Sequence, residues 1–266
     1  MADIQKILTD AIQVIINNTI REEKANALVD KHNAKVHFIP FRYRVFGGLL
    51  QSMNIQFGNF IEKAMHDILS QNTKLEIIAK YSGKKSNSFK LSRESETLID
   101  NYITDCQTSG YNESALAAAY AELVRKIKIN EQNAALTCVD FKHDIDILFR
   151  EKSSGVFYYV EIKYNDDHDT GKFVDINRKL LKTYAYLVRE LGKDAIVKPI
   201  LFYFTNKKMK GNIYIPENEV IYRGKRFFDT FTNIKYEDVD GYMRGISEDE
   251  KTKKIFDDLY DKVVRK

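Results

Sequence analysis

Two short apolar segments, 145–149 and 156–160, constrain the fold of this chain more than any other feature. A polar break that ends in Gly155 separates them. Apolar runs of this length, bounded by turn-forming residues, are typical of buried strands. The spacing therefore predicts that the two segments pair as a β-hairpin inside a sheet.

Charged residues stand at the ends of these predicted strands. Side chains alternate between the two faces of a strand, so Glu161 and Lys163 share a face and Ile162 lies on the other. Asp144 and Asp146 share a face for the same reason. In a hairpin, carboxylates and an ammonium group then converge on one side of the sheet. Charges at the ends of such apolar strands need a partner or a metal ion.

Carboxylates beside a lysine suit a hard divalent cation and a phosphodiester substrate. Mg²⁺ keeps several waters and takes only one or two protein carboxylates. It polarises a phosphate and lowers the pKa of a bound water, while a lysine orients that water or stabilises charge on the phosphoryl oxygens. The pattern thus indicates phosphodiester hydrolysis. The alternative that it leaves open is a pair of edge strands with solvated charges.

Asp146, followed by three apolar residues, and the later Glu161-Ile-Lys163 resemble the motif of the PD-(D/E)xK nuclease superfamily. The type II restriction endonucleases are its largest branch. Ile145 stands where the motif often has proline. The resemblance implies that Asp146 and Glu161 are metal ligands and catalytic residues, and that Lys163 is catalytic. Asp144 remains the alternative to Asp146 as the metal ligand.

A further acidic residue lies on a helix predicted over 46–71. Glu62 lies at the margin of its apolar stripe, and the segment 58–62 resembles an early helix of the family that carries a glutamate into the metal site. The resemblance implies a catalytic role for Glu62. An ordinary glutamate on the helix surface is the alternative.

Basic residues balance acidic ones closely, since 42 Lys and Arg face 38 Asp and Glu, for a net charge of +4. A DNA-binding surface must therefore come from clustering. One basic cluster lies in a predicted loop, 80–93, and another follows the predicted core. The resemblance also implies a contribution from a polar residue of the helix that follows the motif, which is Lys182 here. The candidate DNA contacts are Lys182, Lys207, Lys208, Arg223, Lys225 and Arg226. A solvated surface is the alternative for each of them.

The order of predicted elements indicates an α/β protein with a restriction-endonuclease-like core, in which helices flank a central mixed sheet. Helices are predicted over 3–28, 46–71, 95–126, 174–192 and 247–264, and strands over 74–80, 136–149, 156–164 and 196–205. The predicted domains are an N-terminal helical extension (1–45), the nuclease core (46–210) and a C-terminal extension (211–266) packed on the core as a candidate DNA-recognition region.

Two other segments have candidate roles. The polar loop 165–172 carries Asp and His residues that suit a second metal site, although such loops more often satisfy their own backbone groups. The segment 224–239 is similar to the tail of small type II restriction enzymes of the HinfI and TdeIII kinds.

The resemblance implies a type II site-specific deoxyribonuclease that cuts both strands of duplex DNA with Mg²⁺ in a restriction-modification system. It also implies a homodimer, because two-fold symmetric sites are read naturally by two-fold symmetric dimers, and a companion methyltransferase that acts on the same site. Two alternatives are a structure-directed repair or recombination nuclease and a non-catalytic DNA-binding protein on the same fold.

The location of the protein follows from what its sequence lacks. No apolar run is long enough to span a membrane, and the first residues have no secretory-signal pattern. Two cysteines, Cys106 and Cys138, form neither a disulfide framework nor a zinc site. A cytoplasmic protein without membrane contact is expected.

Overall fold

The structure is a computed structural model that describes residues 6, 8, 9, 12, 15, 22–34, 36–133 and 135–264. Among these residues the elements, in chain order, are α1 (Glu22–Asn33), α2 (Phe41–Ser70), β1 (Leu75–Ile77), β2 (Gly83–Ser92), α3 (Arg93–Ser109), α4 (Glu113–Glu131), β3 (Cys138–Ile145), β4 (Ile147–Glu151), β5 (Phe157–Lys163), α5 (Thr170–Leu191), β6 (Val197–Tyr203), α6 (Glu217–Val220), β7 (Ile221–Arg223), α7 (Gly224–Phe231), α8 (Tyr236–Glu248) and α9 (Glu250–Val264). Most of the helix predicted over 3–28 lies outside the described residues.

The chain divides into two compact units. One comprises residues 1–68 and 234–266, and its described part is helical; the other comprises residues 69–233 and holds every strand that the structure describes. The boundaries predicted from the sequence, at 45/46 and 210/211, differ from these.

A mixed sheet forms the centre of the second unit. Within the described residues, its strand order is β1-β4-β5-β6-β7, with antiparallel pairs up to β5 and parallel pairs from β5 onward. The predicted hairpin is β4–β5, and Gly155 turns it with a positive φ of 72° that a residue with a Cβ rarely adopts. The prediction of an α/β fold with a central mixed sheet flanked by helices is confirmed.

Side-chain alternation gives the sheet two buried faces. Leu148 and Tyr159 belong to the core that α5 covers. Their neighbours Phe149 and Tyr158 point the other way, and the ring of Phe231 from α7 lies 5.2 and 5.0 Å from theirs. Because α7 packs on this face, residues beyond 210 belong to the same unit as the sheet, which explains why its boundary lies at 233/234.

Three predicted segments differ from the structure. The strand predicted over 136–149 is two strands, β3 and β4, which belong to different sheets. The basic segment 80–93 is mostly the strand β2, because Phe89 and Leu91 are fully buried and pair with β3; the polar composition of this strand hid its alternation. The single helix predicted over 95–126 is two helices, since Gly110 ends α3 with a left-handed φ of 58° and Asn112 caps α4.

A membrane-spanning helix is not found among the residues described, since none of their helices is both long and apolar enough.

A buried carboxylate ties three helices of the second unit together. Glu131, at the end of α4, accepts hydrogen bonds from the hydroxyl and backbone N–H of Ser92, at 2.6 and 3.2 Å. Ser92 caps the start of α3, and Arg189 of α5 reaches the other oxygen of Glu131 at 2.6 Å. The side chain of Glu131 is fully buried, so it depends on these donors.

We expect Arg189→Ala to lower the free energy of unfolding by about 3 to 5 kcal/mol, because it leaves a buried charge without its cationic partner. Urea denaturation measures this change. Arg125→Ala is the matched control, because Arg125 pairs with Glu122 on an exposed helix surface and its loss should change little. Equal effects of the two substitutions would contradict the role given to Glu131.

Candidate active site

Strand β5 carries three polar side chains on the face that α5 covers. Tyr159, Glu161 and Lys163 alternate with apolar residues, and Glu161 is fully buried. The Tyr159 hydroxyl donates to Glu161 Oε2 at 3.0 Å, and Lys163 Nζ donates to Oε1 at 2.6 Å. The predicted placement of Glu161 and Lys163 on one face is therefore what the structure shows.

Asp146 lies opposite Glu161 at the bend between β3 and β4. The β4–β5 register pairs Ile147 with Val160, so one further step brings Asp146 across from Glu161. Asp146 Oδ2 accepts the backbone N–H of Ile162 at 2.7 Å and lies 3.9 Å from Lys163 Nζ. This hydrogen bond fixes the carboxylate beside the other two charged groups.

Asp144 does not share a continuous strand with Asp146. Asp144 lies in β3, which pairs with β2 in a separate two-stranded sheet, and the chain bends at Asp146. The alternation expected from the sequence is broken by this bend. Asp146 contacts Ile162 and Lys163 beside Glu161, which favours it over Asp144 as the ligand.

Helix α5 adds a second ammonium group. Lys179 Nζ donates to Glu161 Oε1 at 2.8 Å. Lys182, the residue predicted from this helix, instead contacts Glu96 at 2.8 Å and Asp100 at 3.8 Å. The sequence showed two lysines one turn apart, but only the packing of α5 on the sheet decides which one reaches Glu161.

Electrostatics keep Glu161 ionised although it is buried. Burial raises the pKa of this carboxyl group, but the ammonium groups of Lys163 and Lys179 outweigh that effect and hold the pKa below its usual range. Burial and the nearby carboxylates raise the pKa of Tyr159, so its hydroxyl stays protonated and can donate to Glu161. The two carboxylates and two ammonium groups of the cluster sum to no net charge.

A cleft of about 210 Å³ adjoins this cluster, between β3 and α5. Its lining residues are Phe141, Lys142, His143, Asp175, Arg178, Lys179 and Lys182. Burial lowers the pKa of His143 to about 4, and the positive charge of Lys179 is the second contribution. This imidazole is therefore neutral near pH 7. Lys179 belongs to both, so the cleft and the cluster share one ammonium group.

The donor set fits a divalent cation of the hard type. Asp146 and Glu161 offer carboxylate oxygens, and no group of three or more His, Cys, Asp or Glu suited to a metal occurs among the described residues. Mg²⁺ needs only one or two protein carboxylates, so this pair suffices. Lys163 and Lys179 both hold Glu161 Oε1, so a bound cation would compete with them for this carboxylate.

The other predicted residues belong to other elements of the chain. Glu62 is on α2, in the helical unit, with its side chain half-buried. Lys207 and Lys208 are exposed in the loop after β6, and Lys208 contacts Glu217 at 3.1 Å. Lys225 is exposed and forms an ion pair with Asp229 within α7.

Two of the predicted DNA contacts are engaged within the protein. The Arg223 guanidinium is largely buried and pairs with Asp166 at 2.9 Å and Glu217 at 2.7 Å. Arg226 donates to the backbone carbonyl of Ile221 at 2.8 Å and lies over the Tyr222 ring. Arg223 is thus paired with two carboxylates, whereas Arg226 holds a backbone carbonyl and is exposed.

The polar loop 165–172 satisfies its own backbone, which was the interpretation favoured from the sequence. Asn165 accepts the N–H of Asp167, and Asp169 accepts the N–H of Lys172 and caps α5.

Comparisons with known proteins identify one family. A family model described as "Type II restriction endonuclease, HinfI" matches residues 1–247. "Type II restriction enzyme HinfI" from Haemophilus influenzae is 52% identical over 262 residues, which cover 98% of this chain and 98% of that protein. No solved structure matches the chain significantly. The resemblance to type II restriction endonucleases, and to the HinfI kind among them, is confirmed.

The contact of Lys179 with Glu161 predicts a change in cation affinity when this lysine is removed. We expect Lys179→Met to raise the affinity for Mn²⁺ by about tenfold, or about 1.4 kcal/mol, because one ammonium group no longer competes for Glu161. Isothermal titration calorimetry without DNA measures this change. Lys182→Met, one helical turn away, is the control and should leave the affinity unchanged. An unchanged or weaker affinity in Lys179→Met would refute the competition.

Proposed function

Because the chain belongs to the HinfI family of type II restriction endonucleases, we propose that it is a site-specific endodeoxyribonuclease. It cleaves both strands of duplex DNA as the restriction component of a restriction-modification system. One observation carries the chemical part of this proposal. Asp146, Glu161 and Lys163 meet at the bend beside β5, where two hard oxygen donors and an ammonium group serve phosphodiester hydrolysis.

Mg²⁺ is the proposed cofactor, with Asp146 and Glu161 as its ligands and Asp144 as the alternative to Asp146. The bound cation would supply positive charge that polarises the scissile phosphate and lowers the pKa of water. Glu161 is suited to this role because its neighbours keep it ionised. Asp146 is suited because the N–H of Ile162 fixes its orientation.

The lysines act on the phosphate and the attacking water. Lys163 reaches both carboxylates, so its ammonium group lies where it can orient a water molecule and donate to a phosphoryl oxygen. Lys179 of α5 lines the basic cleft, contacts Glu161 and can stabilise the charge that develops on the phosphate. The Tyr159 hydroxyl donates to Glu161 and keeps this carboxylate in position.

Glu62 is proposed as a further acidic contributor to catalysis. It is carried over from the likeness of 58–62 to the early helix of the nuclease family. Glu62→Gln tests it, since a catalytic glutamate affects the rate constant of cleavage, whereas a surface glutamate does not.

The proposed DNA contacts divide by exposure. Lys207, Lys208 and Lys225 are exposed and suited to phosphates and base edges, and Lys182 lines the cleft beside the site. Arg226 is exposed as well, whereas Arg223 is largely buried by its pairs with Asp166 and Glu217, and both remain proposed DNA contacts.

The proposed assembly is a homodimer, since a two-fold symmetric enzyme cuts both strands of a two-fold symmetric site. A companion methyltransferase would protect the same site in the host, and the cytoplasm, where the DNA is, is the proposed location.

Digestion of unmethylated phage DNA with purified protein in Mg²⁺ tests this function. We expect discrete fragments, and we expect EDTA or Lys163→Ala to abolish them or slow them by at least about a hundredfold. Sequencing the fragment ends then gives the target. Lys193→Ala serves as a control, because this exposed lysine lies beyond the end of α5. A smear would indicate a nuclease without site specificity, and intact DNA with a mobility shift would indicate a binding protein.

A further inference from the structure

Another buried carboxylate lies close in sequence to Glu161. Asp166 is 1% exposed, three residues after Lys163. Its oxygens accept the backbone N–H groups of Met209 at 3.0 Å and Lys210 at 3.2 Å. Arg223 donates to it at 2.9 Å. A buried aspartate that receives two consecutive backbone N–H groups fixes the course of the segment that carries them.

That segment is an irregular loop, 206–211, which we term the β6 loop. All six of its residues are exposed, although both of its ends are anchored. At the first end, Asn206 accepts the backbone N–H of Lys225. After the second end, Asn212 accepts the N–H of Tyr214 and contacts Asn177 of α5. The loop is therefore held in one position while its side chains face solvent.

The sheet register places the β6 loop beside the candidate active site. Lys163 pairs with Tyr203 at the end of the parallel strands, and Phe204 donates to the Lys163 carbonyl at 2.9 Å. Thr205 then donates to the carbonyl of Tyr164. The loop thus leaves the sheet at the residue level of the catalytic lysine.

The composition of the loop fits DNA. Three lysines, Lys207, Lys208 and Lys210, surround Met209, whose side chain is 52% exposed. Lysines contact phosphates and guanine edges, and apolar side chains contact the thymine methyl group or base steps. An exposed methionine at a rigid, basic loop tip has no role in the protein core.

We propose that the β6 loop reads base edges near the scissile phosphate through Met209, and that Asp166 is the positioning residue that sets its geometry. This inference rests on the proposed function and names a specificity element for it. Asp166 itself does not touch DNA. Arg223, anchored by Glu217, completes the support from the side of β7.

The test is the discrimination between two short duplexes, one with the target from the phage digest and one with a single base pair changed. We expect Asp166→Asn to lower the ratio of their kcat/KM values by about tenfold or more, because an amide cannot accept from all three donors. Asp167→Asn is the matched control, since this neighbour is exposed and forms a surface ion pair with the Lys210 side chain. It should retain the wild-type ratio within about twofold.

Met209 variants test the same proposal without disturbing the buried carboxylate. Met209→Ala should lower the ratio by about tenfold, and Met209→Leu should largely restore it, with unchanged melting temperatures. If Asp166→Asn fails to fold, these variants decide alone. A purely structural role predicts that both duplexes lose activity equally, and that result, or an unchanged ratio in Met209→Ala, would overturn the proposal. Failure of the function itself would be evident earlier, because the wild-type protein would give no discrete fragments.

Discussion

The burial of one ionised carboxylate, Glu161, is the constraint around which the second unit is organised. An isolated carboxylate in this position would be neutral, because burial favours the uncharged acid. Lys163, Lys179 and Tyr159 together keep it charged. These donors come from β5 and α5. The ionisation of Glu161 therefore depends on how α5 packs on the sheet. The helix cannot shift along the sheet without removing a cation from Glu161.

The topology of the sheet explains why the candidate active-site residues lie together at one end of β5. The antiparallel β4–β5 pair brings Asp146 across from Glu161, and the parallel β5–β6 pair carries the chain from Lys163 to the β6 loop. The β4–β5 hairpin thus positions the two carboxylates, and the parallel strand β6 leads into the neighbouring loop. Both features follow from the position of β5 in the middle of the strand order.

The sequence predicted the parts of this site that depend on local periodicity. Glu161 and Lys163 share a face because strands have a period of two, and the hairpin turn was visible at Gly155. Lys179 could not be separated from Lys182, since both lie on one helical face and only tertiary packing brings one to Glu161. The strand β2 was missed because its inward residues, Phe89 and Leu91, stand in an otherwise polar segment.

The two buried carboxylates near the end of β5 differ in the donors that hold them, and this difference fits their proposed roles. Glu161 is held by ammonium groups on flexible stems, which can move away when a cation arrives. Asp166 is held by two backbone N–H groups and a guanidinium, and the backbone groups cannot leave without refolding the loop. A carboxylate that must exchange partners during a reaction needs donors of the first kind. A carboxylate that must keep a reading loop in register needs donors of the second kind.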